Sequence, residues 1–163
     1  MTRANPTKSN LPYRPCVGIL LFNHLGEVFV GRRNDVSGRA WQMPQGGIDV
    51  NEDPRNAAIR ELYEETGVRT VEIVAESGEW LTYNYPPDIA RLSFAKKFRG
   101  QCQKWFAMRF LGSEAEIDLG FSHAEFDAWK WVDIECLPAL IVDFKRPVYT
   151  AVVAEFRDLA RPL

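Results

Sequence analysis

From Cys16 to Phe22 the chain is apolar without interruption apart from Gly18. A run this short, bounded by polar residues, predicts a buried strand. Asn23-His24-Leu25-Gly26 has turn chemistry and Val28–Gly31 is apolar again, so a hairpin is expected. Val71–Ala75, Trp80–Tyr85, Trp105–Leu111 and Trp129–Val132 are further strand candidates, the second of them stopped by Pro86-Pro87. Residues 86–102 read as irregular and are basic at Lys96, Lys97 and Arg99. Two segments have helical character. One starts at Asp53-Pro54, a side-chain cap followed by a proline suited to the first turn, and ends at Gly67, which supplies a left-handed cap. In it Ala58, Ile59 and Leu62 are expected to form the apolar side. The other follows Pro147, where Val148, Tyr149, Val152, Val153, Phe156 and Leu159 recur at helical spacing. Strands before and after a central helix, with a final helix, predict an α/β fold: a mixed sheet between helices.

Composition narrows the class. The chain has 163 residues, 46% hydrophobic and 26% charged, the balance of a globular protein that forms its core without disulfides. One domain over residues 13–163 is expected, after a polar and flexible segment at 1–12. The net charge of −2 gives no general affinity for nucleic acid or membranes. Cys16, Cys102 and Cys136 are odd in number and far apart, which reads as reduced thiols in a cytoplasmic protein with no disulfide partner. No apolar run is long enough to span a bilayer, and none resembles a signal peptide.

The densest chemistry lies in the 23 residues from Gly46 to Val68, GGIDVNEDPRNAAIRELYEETGV. Glu61, Glu64 and Glu65 are spaced i, i+3, i+4, so a helix stacks them along one edge. At about 5 Å and an effective dielectric near 20, each ionised pair costs roughly 3 kcal/mol. Such a cluster calls for a cation, and all-oxygen donors suit a hard ion such as Mg²⁺ or Mn²⁺. The glycines of Pro44-Gln45-Gly46-Gly47 let backbone approach a ligand closely.

Spaced as Gly46, five residues, Glu52, seven residues, Arg60-Glu61-Leu62, one residue, Glu64-Glu65, one residue, Gly67-Val68, the run matches every fixed position of the Nudix box. The chain therefore resembles the Nudix hydrolases, which cleave nucleoside diphosphates linked to another moiety. RPCVGI, WQMPQGGID, WLTYNYPP, GQCQKWF, AEFDAWKWV and FKRPVY extend the likeness over roughly residues 13–156. They resemble the branch that contains bacterial RNA pyrophosphohydrolases and diadenosine tetraphosphate hydrolases. Val50-Asn51 departs from the usual acidic or proline residue followed by glycine, but asparagine tolerates turn conformations.

The resemblance implies an α/β/α sandwich and a catalytic divalent cation, Mg²⁺ or a substitute such as Mn²⁺. The implied metal ligands are Glu61, Glu64, Glu65, Glu125 and the Gly46 carbonyl. Glu61 or Glu125 is the expected base. Arg60, grouped with the catalytic residues, is expected with Glu52 to brace the loop against the helix. Arg14, Arg33 and Lys104 match positions that face substrate phosphates, and Tyr83 and Phe144 match aromatics that hold a base. Trp41, Trp80 and Trp105 read as core. The expected substrate is a nucleotide polyphosphate or the 5′-triphosphate end of RNA, handled by a monomer. Removal of pyrophosphate from RNA and asymmetric cleavage of diadenosine tetraphosphate both remain open. A non-catalytic nucleotide sensor is the reading from another class, and such proteins usually lose box glutamates, which this chain retains.

Overall fold

The computed structural model describes residues 10–33, 40–89, 93–120 and 125–162. In chain order the elements are β1 (Tyr13–Phe22), β2 (Val28–Arg33), β3 (Trp41–Gln42), β4 (Gln45–Gly47), α1 (Pro54–Thr66), β5 (Val71–Glu76), β6 (Leu81–Asn84), α2 (Ser93–Lys97), β7 (Gly100–Phe110), β8 (Phe126–Val132), α3 (Leu137–Leu140) and α4 (Arg146–Phe156). The strands join in one sheet. Its main path runs β3-β2-β1-β7-β5, with β4 beside β1, β6 beside β7 and β8 beside β2. β1 and β7 pair in parallel from Tyr13↔Gly100 to Phe22↔Arg109, while the other pairings are antiparallel. This is the mixed sheet the pattern predicted.

Helices cover both faces, which is why β1 reads as a continuous apolar run. On one face Val17, Ile19, Leu21, Phe106 and Met108 pack against Ala57, Ala58 and Leu62 of α1. On the other, Leu20, Phe22, Trp105 and Ala107 pack against Val148, Tyr149, Val152 and Phe156 of α4. The Tyr149 hydroxyl accepts a hydrogen bond from the Met43 N–H at 2.8 Å, tying α4 to the segment that leads into the glycine loop.

Several local expectations change. The segment 86–102 is not wholly irregular: it holds α2, and β7 begins at Gly100, five residues before Trp105. Its polar start hid it, since Gln101 and Gln103 alternate with residues of the opposite face. The apolar side of α1 is Ala57, Ala58 and Leu62, extended by Glu65 and Thr66, and not Ile59, which is 40% exposed. The final helix ends at Phe156, and Leu159 lies beyond it, exposed. Trp105 is core, but Trp80 is not: it is 43% exposed. The segment expected to be flexible, 1–12, lies outside the described residues apart from its last three.

Candidate active site

The site is assembled where α1 meets the loop after β4. Asp53 caps the helix by accepting the Arg55 N–H at 2.8 Å, and Gly67 closes it with φ 74°. Asn51 adopts φ 65°, the left-handed turn that asparagine tolerates, so its departure from the usual glycine is accommodated.

Arg60 is the hub. Its Nε and Nη2 donate side-on to Glu52 at 2.8 Å each, and Nη2 also donates to the Gly47 carbonyl at 2.9 Å. Nη1 donates to Glu61 at 2.9 Å and to Glu64 at 3.2 Å. Glu52 in turn accepts the Asp49 N–H at 2.9 Å. The fork of the guanidinium thus locks residues 47–52 onto the helix. The hydrogen bonds from Arg60 and then from Asp49 hold the Glu52 carboxyl at about 2, well below the usual range. The same contact with Glu52 raises Arg60. Arg60 also supplies positive charge to the repelling glutamates, a counterion that spacing alone did not reveal.

The three helix glutamates occupy different environments. Glu64 is the most open and meets Arg60. Glu61 is largely enclosed, and burial lifts its pKa to about 6 against the opposing pull of Arg60. It lies on Gly46: a Cβ there would stand 2.0 Å from the Glu61 carboxyl carbon, so a larger residue would displace this carboxylate. Glu65 is 2% exposed. Its Oε2 accepts the Gln45 N–H at 3.3 Å, and no hydrogen-bond partner among the described residues reaches its buried Oε1. Burial raises its pKa well above the usual value, and the nearby like charge of Glu125, at the mouth of β8, raises it further.

As the side chains stand, no three His, Cys, Asp or Glu groups among the described residues converge on one ion position. The donor set nonetheless suits a hard divalent cation. A buried carboxylate oxygen without a donor, beside two other carboxylates and the backbone at Gly46, is costly until positive charge enters.

The predicted substrate residues divide between the two faces of the sheet. The Arg14 guanidinium covers Gly47, where a Cβ would meet its Nη2 at 2.4 Å. Lys104 rises from β7 with its ammonium 6.0 Å from the Trp80 ring. Arg33, half-buried at the end of β2, acts electrostatically on Tyr83. Tyr83 and Phe144 do come together, 5.6 Å between centroids at 53°, on the side of α4. They do not form an open clamp. The rings touch, Tyr83 is only 7% exposed and packs edge-on against Tyr85, and burial raises its pKa strongly. A base would need these rings to part.

Two features beside this pair escaped the sequence reading. One is a buried amide chain: Gln103 donates to Gln45 at 2.8 Å and to Gln101 at 2.9 Å, and accepts the Trp105 indole N–H at 3.0 Å. The i, i+2 spacing of Gln101 and Gln103 places both on one strand face and was the available signal. The other is Lys145, 6% exposed, whose ammonium lies 5.5 Å from the Tyr83 ring and 5.9 Å from that of Phe144. Next to Phe144 in sequence, it reads as an ordinary surface cation.

Comparison with known proteins points to one family. The NUDIX domain family model matches residues 12–152. The chain is 54% identical over 149 residues to the RNA pyrophosphohydrolase of Cereibacter sphaeroides, covering 90% of this chain and 92% of that one. It is 53% identical over 163 residues to the RNA pyrophosphohydrolase of Agrobacterium fabrum, covering 93% and 95%. Among solved structures, a C. elegans Ap4A hydrolase binary complex superposes with a TM-score of 0.64 at 19% identity, over 89% of this chain and 98% of that one. The structural likeness carries the fold, and the box, the gathered carboxylates and the family match carry the rest: the chain belongs to the Nudix family, as a pyrophosphohydrolase.

Proposed function

We propose that this enzyme is an RNA pyrophosphohydrolase, removing pyrophosphate from the 5′-triphosphate end of RNA and leaving a monophosphate. The observation that supports this most directly is the pair of relatives bearing that name at 53–54% identity over nine-tenths or more of the chain. Dinucleoside polyphosphates are the second substrate class, favoured by the fold-level match to an Ap4A hydrolase. We read residues 13–163 as one domain that acts as a monomer in the cytoplasm; among the described residues no helix is long and apolar enough to cross a membrane.

The metal is a divalent cation, Mg²⁺ on this reading, with Mn²⁺ able to substitute. Glu61, Glu64, Glu65, Glu125 and the Gly46 carbonyl would hold it. When bound, it supplies Lewis acidity toward the phosphate chain and an acidified water. The remaining work falls to the protein. Arg60 and Glu52 fix the loop so that the Gly46 carbonyl and the helix carboxylates keep their spacing. Glu61 or Glu125 takes the proton of the attacking water. The water oxygen bonds to phosphorus, a P–O–P bond breaks, and the electron pair leaves with the departing phosphate oxygen. Arg14, Arg33 and Lys104 stabilise the charge that grows there. No covalent nucleophile is involved.

The test is side-by-side kinetics on triphosphorylated RNA and diadenosine tetraphosphate with Mg²⁺. Release of pyrophosphate from RNA, lost on chelation, is the expected result. A higher kcat/KM on the dinucleotide would transfer the assignment to the second class, and no turnover of either would favour a nucleotide sensor.

A further inference from the structure

Trp80 stands out as a large aromatic surface left in solvent on a tied-down turn. It is 43% exposed, yet the turn before it is pinned at both ends. Ser77 is buried, its N–H donates to the Trp105 carbonyl at 2.7 Å, and its hydroxyl accepts the Trp105 N–H at 3.0 Å and donates to the Glu79 carbonyl at 2.8 Å. Gly78 donates to the Glu155 carboxylate at 2.7 Å. Backbone already tied down loses little conformational freedom when a ligand covers the ring it carries.

Register places this ring in line with the carboxylates. Gly46 of β4 pairs with Val17 of β1, and Val17 pairs with Lys104 of β7. Leu81 of β6 pairs with Gln103, so Trp80, one residue earlier, lies beside Lys104, as the contact between ammonium and ring also shows. Residues opposite one another on neighbouring strands present their side chains to the same face. That face is the α1 face: Val17 packs among Ala57, Ala58 and Leu62, and the Cβ direction of Gly46 points at the Glu61 carboxylate. The row therefore reads Glu61 over Gly46, then Val17, Lys104 and Trp80. At about 4.8 Å per strand it extends about 14 Å. Its order is a carboxylate site, a cation and an aromatic face. A nucleoside 5′-polyphosphate has the complementary order: a phosphate to be cleaved, further phosphate charge and a nucleobase.

We propose that Trp80 is a stacking platform for a nucleobase of the substrate, with Lys104 holding the intervening phosphate. This rests on the pyrophosphohydrolase reading and adds a base subsite on the α1 face, opposite the one occupied by Tyr83 and Phe144. Stacking on an indole tolerates every base, because each presents a π-face.

The experiment compares wild type, Trp80→Ala and Trp80→Phe as full chains with Mg²⁺. KM and kcat are measured on triphosphorylated RNA and on diadenosine tetraphosphate, together with inhibition by inorganic tripolyphosphate, which has no base. Trp80→Ala is expected to raise KM about 5- to 150-fold with a smaller change in kcat, the range that one lost stacking contact implies. Trp80→Phe should recover most of that loss, and inhibition by tripolyphosphate should be the same in all three proteins. A KM increase on either substrate supports the platform and identifies which substrate's base uses it. Unchanged KM on both substrates overturns it. So does a loss of tripolyphosphate inhibition equal to the loss on nucleotides, which would make Trp80 a prop for Lys104. If the wild type turns over neither substrate, the activity assignment fails separately. The platform is then judged by equilibrium dialysis of ATP, where equal affinity of Trp80→Ala and wild type overturns it.

Discussion

Replacing Arg60 with alanine should loosen the glycine loop from the helix, and the structure sets the size of the effect. The guanidinium makes two hydrogen bonds to Glu52, a forked pair to Glu64 and one each to Glu61 and the Gly47 carbonyl. Hydrogen bonds to charged groups contribute about 1.5–3 kcal/mol each when shielded. Here the Arg60 side chain keeps 28% of its exposure, so solvent screens part of the gain. Removal also strips the counterion from four carboxylates, those of Asp49, Glu52, Glu61 and Glu64. A net loss of about 2–4 kcal/mol follows, between the values for exposed and buried pairs. For a chain of this size that lowers Tm by roughly 4–16 °C. The assay is thermal and urea unfolding in EDTA, so that metal binding does not mask the change.

The pH dependence gives an independent check. Arg60 depresses the folded pKa of Glu52 to about 2, from an ordinary value of 4.5. A depressed carboxylate stabilises the fold fully above its unfolded pKa and loses that contribution as pH falls through its folded one. The part of the stability gap between wild type and Arg60→Ala that comes from Glu52 should therefore be constant above about pH 4.5 and close between about pH 4.5 and 2. A variant that melts within 2 °C of wild type at pH 7, an order-of-magnitude threshold well below the expected shift, would refute the role of Arg60 as the tie. So would a gap that does not change in acid.

Glu65→Gln should abolish turnover yet leave Tm in EDTA unchanged or raised, because it removes charge from a buried carboxyl whose Oε1 has no donor; Mg²⁺ should then stabilise it less than wild type in thermal melts. Glu64→Gln should also lose activity, and near wild-type kcat/KM in either variant would refute the metal-site assignment. Tyr83→Ala should act chiefly on stability, by about 3–5 kcal/mol in urea unfolding, since the ring is buried against Phe144 and Tyr85; a rise in KM with unchanged stability would restore the open clamp. Activity should vanish with EDTA and rise from pH 6 to about 8–9 as the water and its base lose protons, and turnover that survives thorough chelation would contradict the role given to the glutamates.

Much of the architecture was local enough to read directly. β1 announced itself as an apolar run because both its faces are covered, and α1 carried its own start and stop in Asp53, Pro54 and Gly67. The box glutamates were legible because fixed spacing on a helix fixes their mutual placement. The first residues of β7 are polar, and only pairing with β1 and β6 shows why a strand forms there. Ile59 lies off the covered side of α1, because apolar character alone does not say which face the sheet covers.

Fold class, family and the spacing of the box carboxylates are legible in the chain alone, since they rest on periodicity and motif spacing along it. What lay between elements was decided by the tertiary structure. Glu65 faces inward while Glu64 meets Arg60 in the open, although they are adjacent in the chain, because the sheet covers only one side of α1. Trp80 and Trp105 look alike in sequence, but one is exposed at the head of β6 and the other buried under α4. Lys104 joins the line from Glu61 to Trp80 only through the register of four strands. Register is set by packing over the whole sheet, and no local pattern carries it.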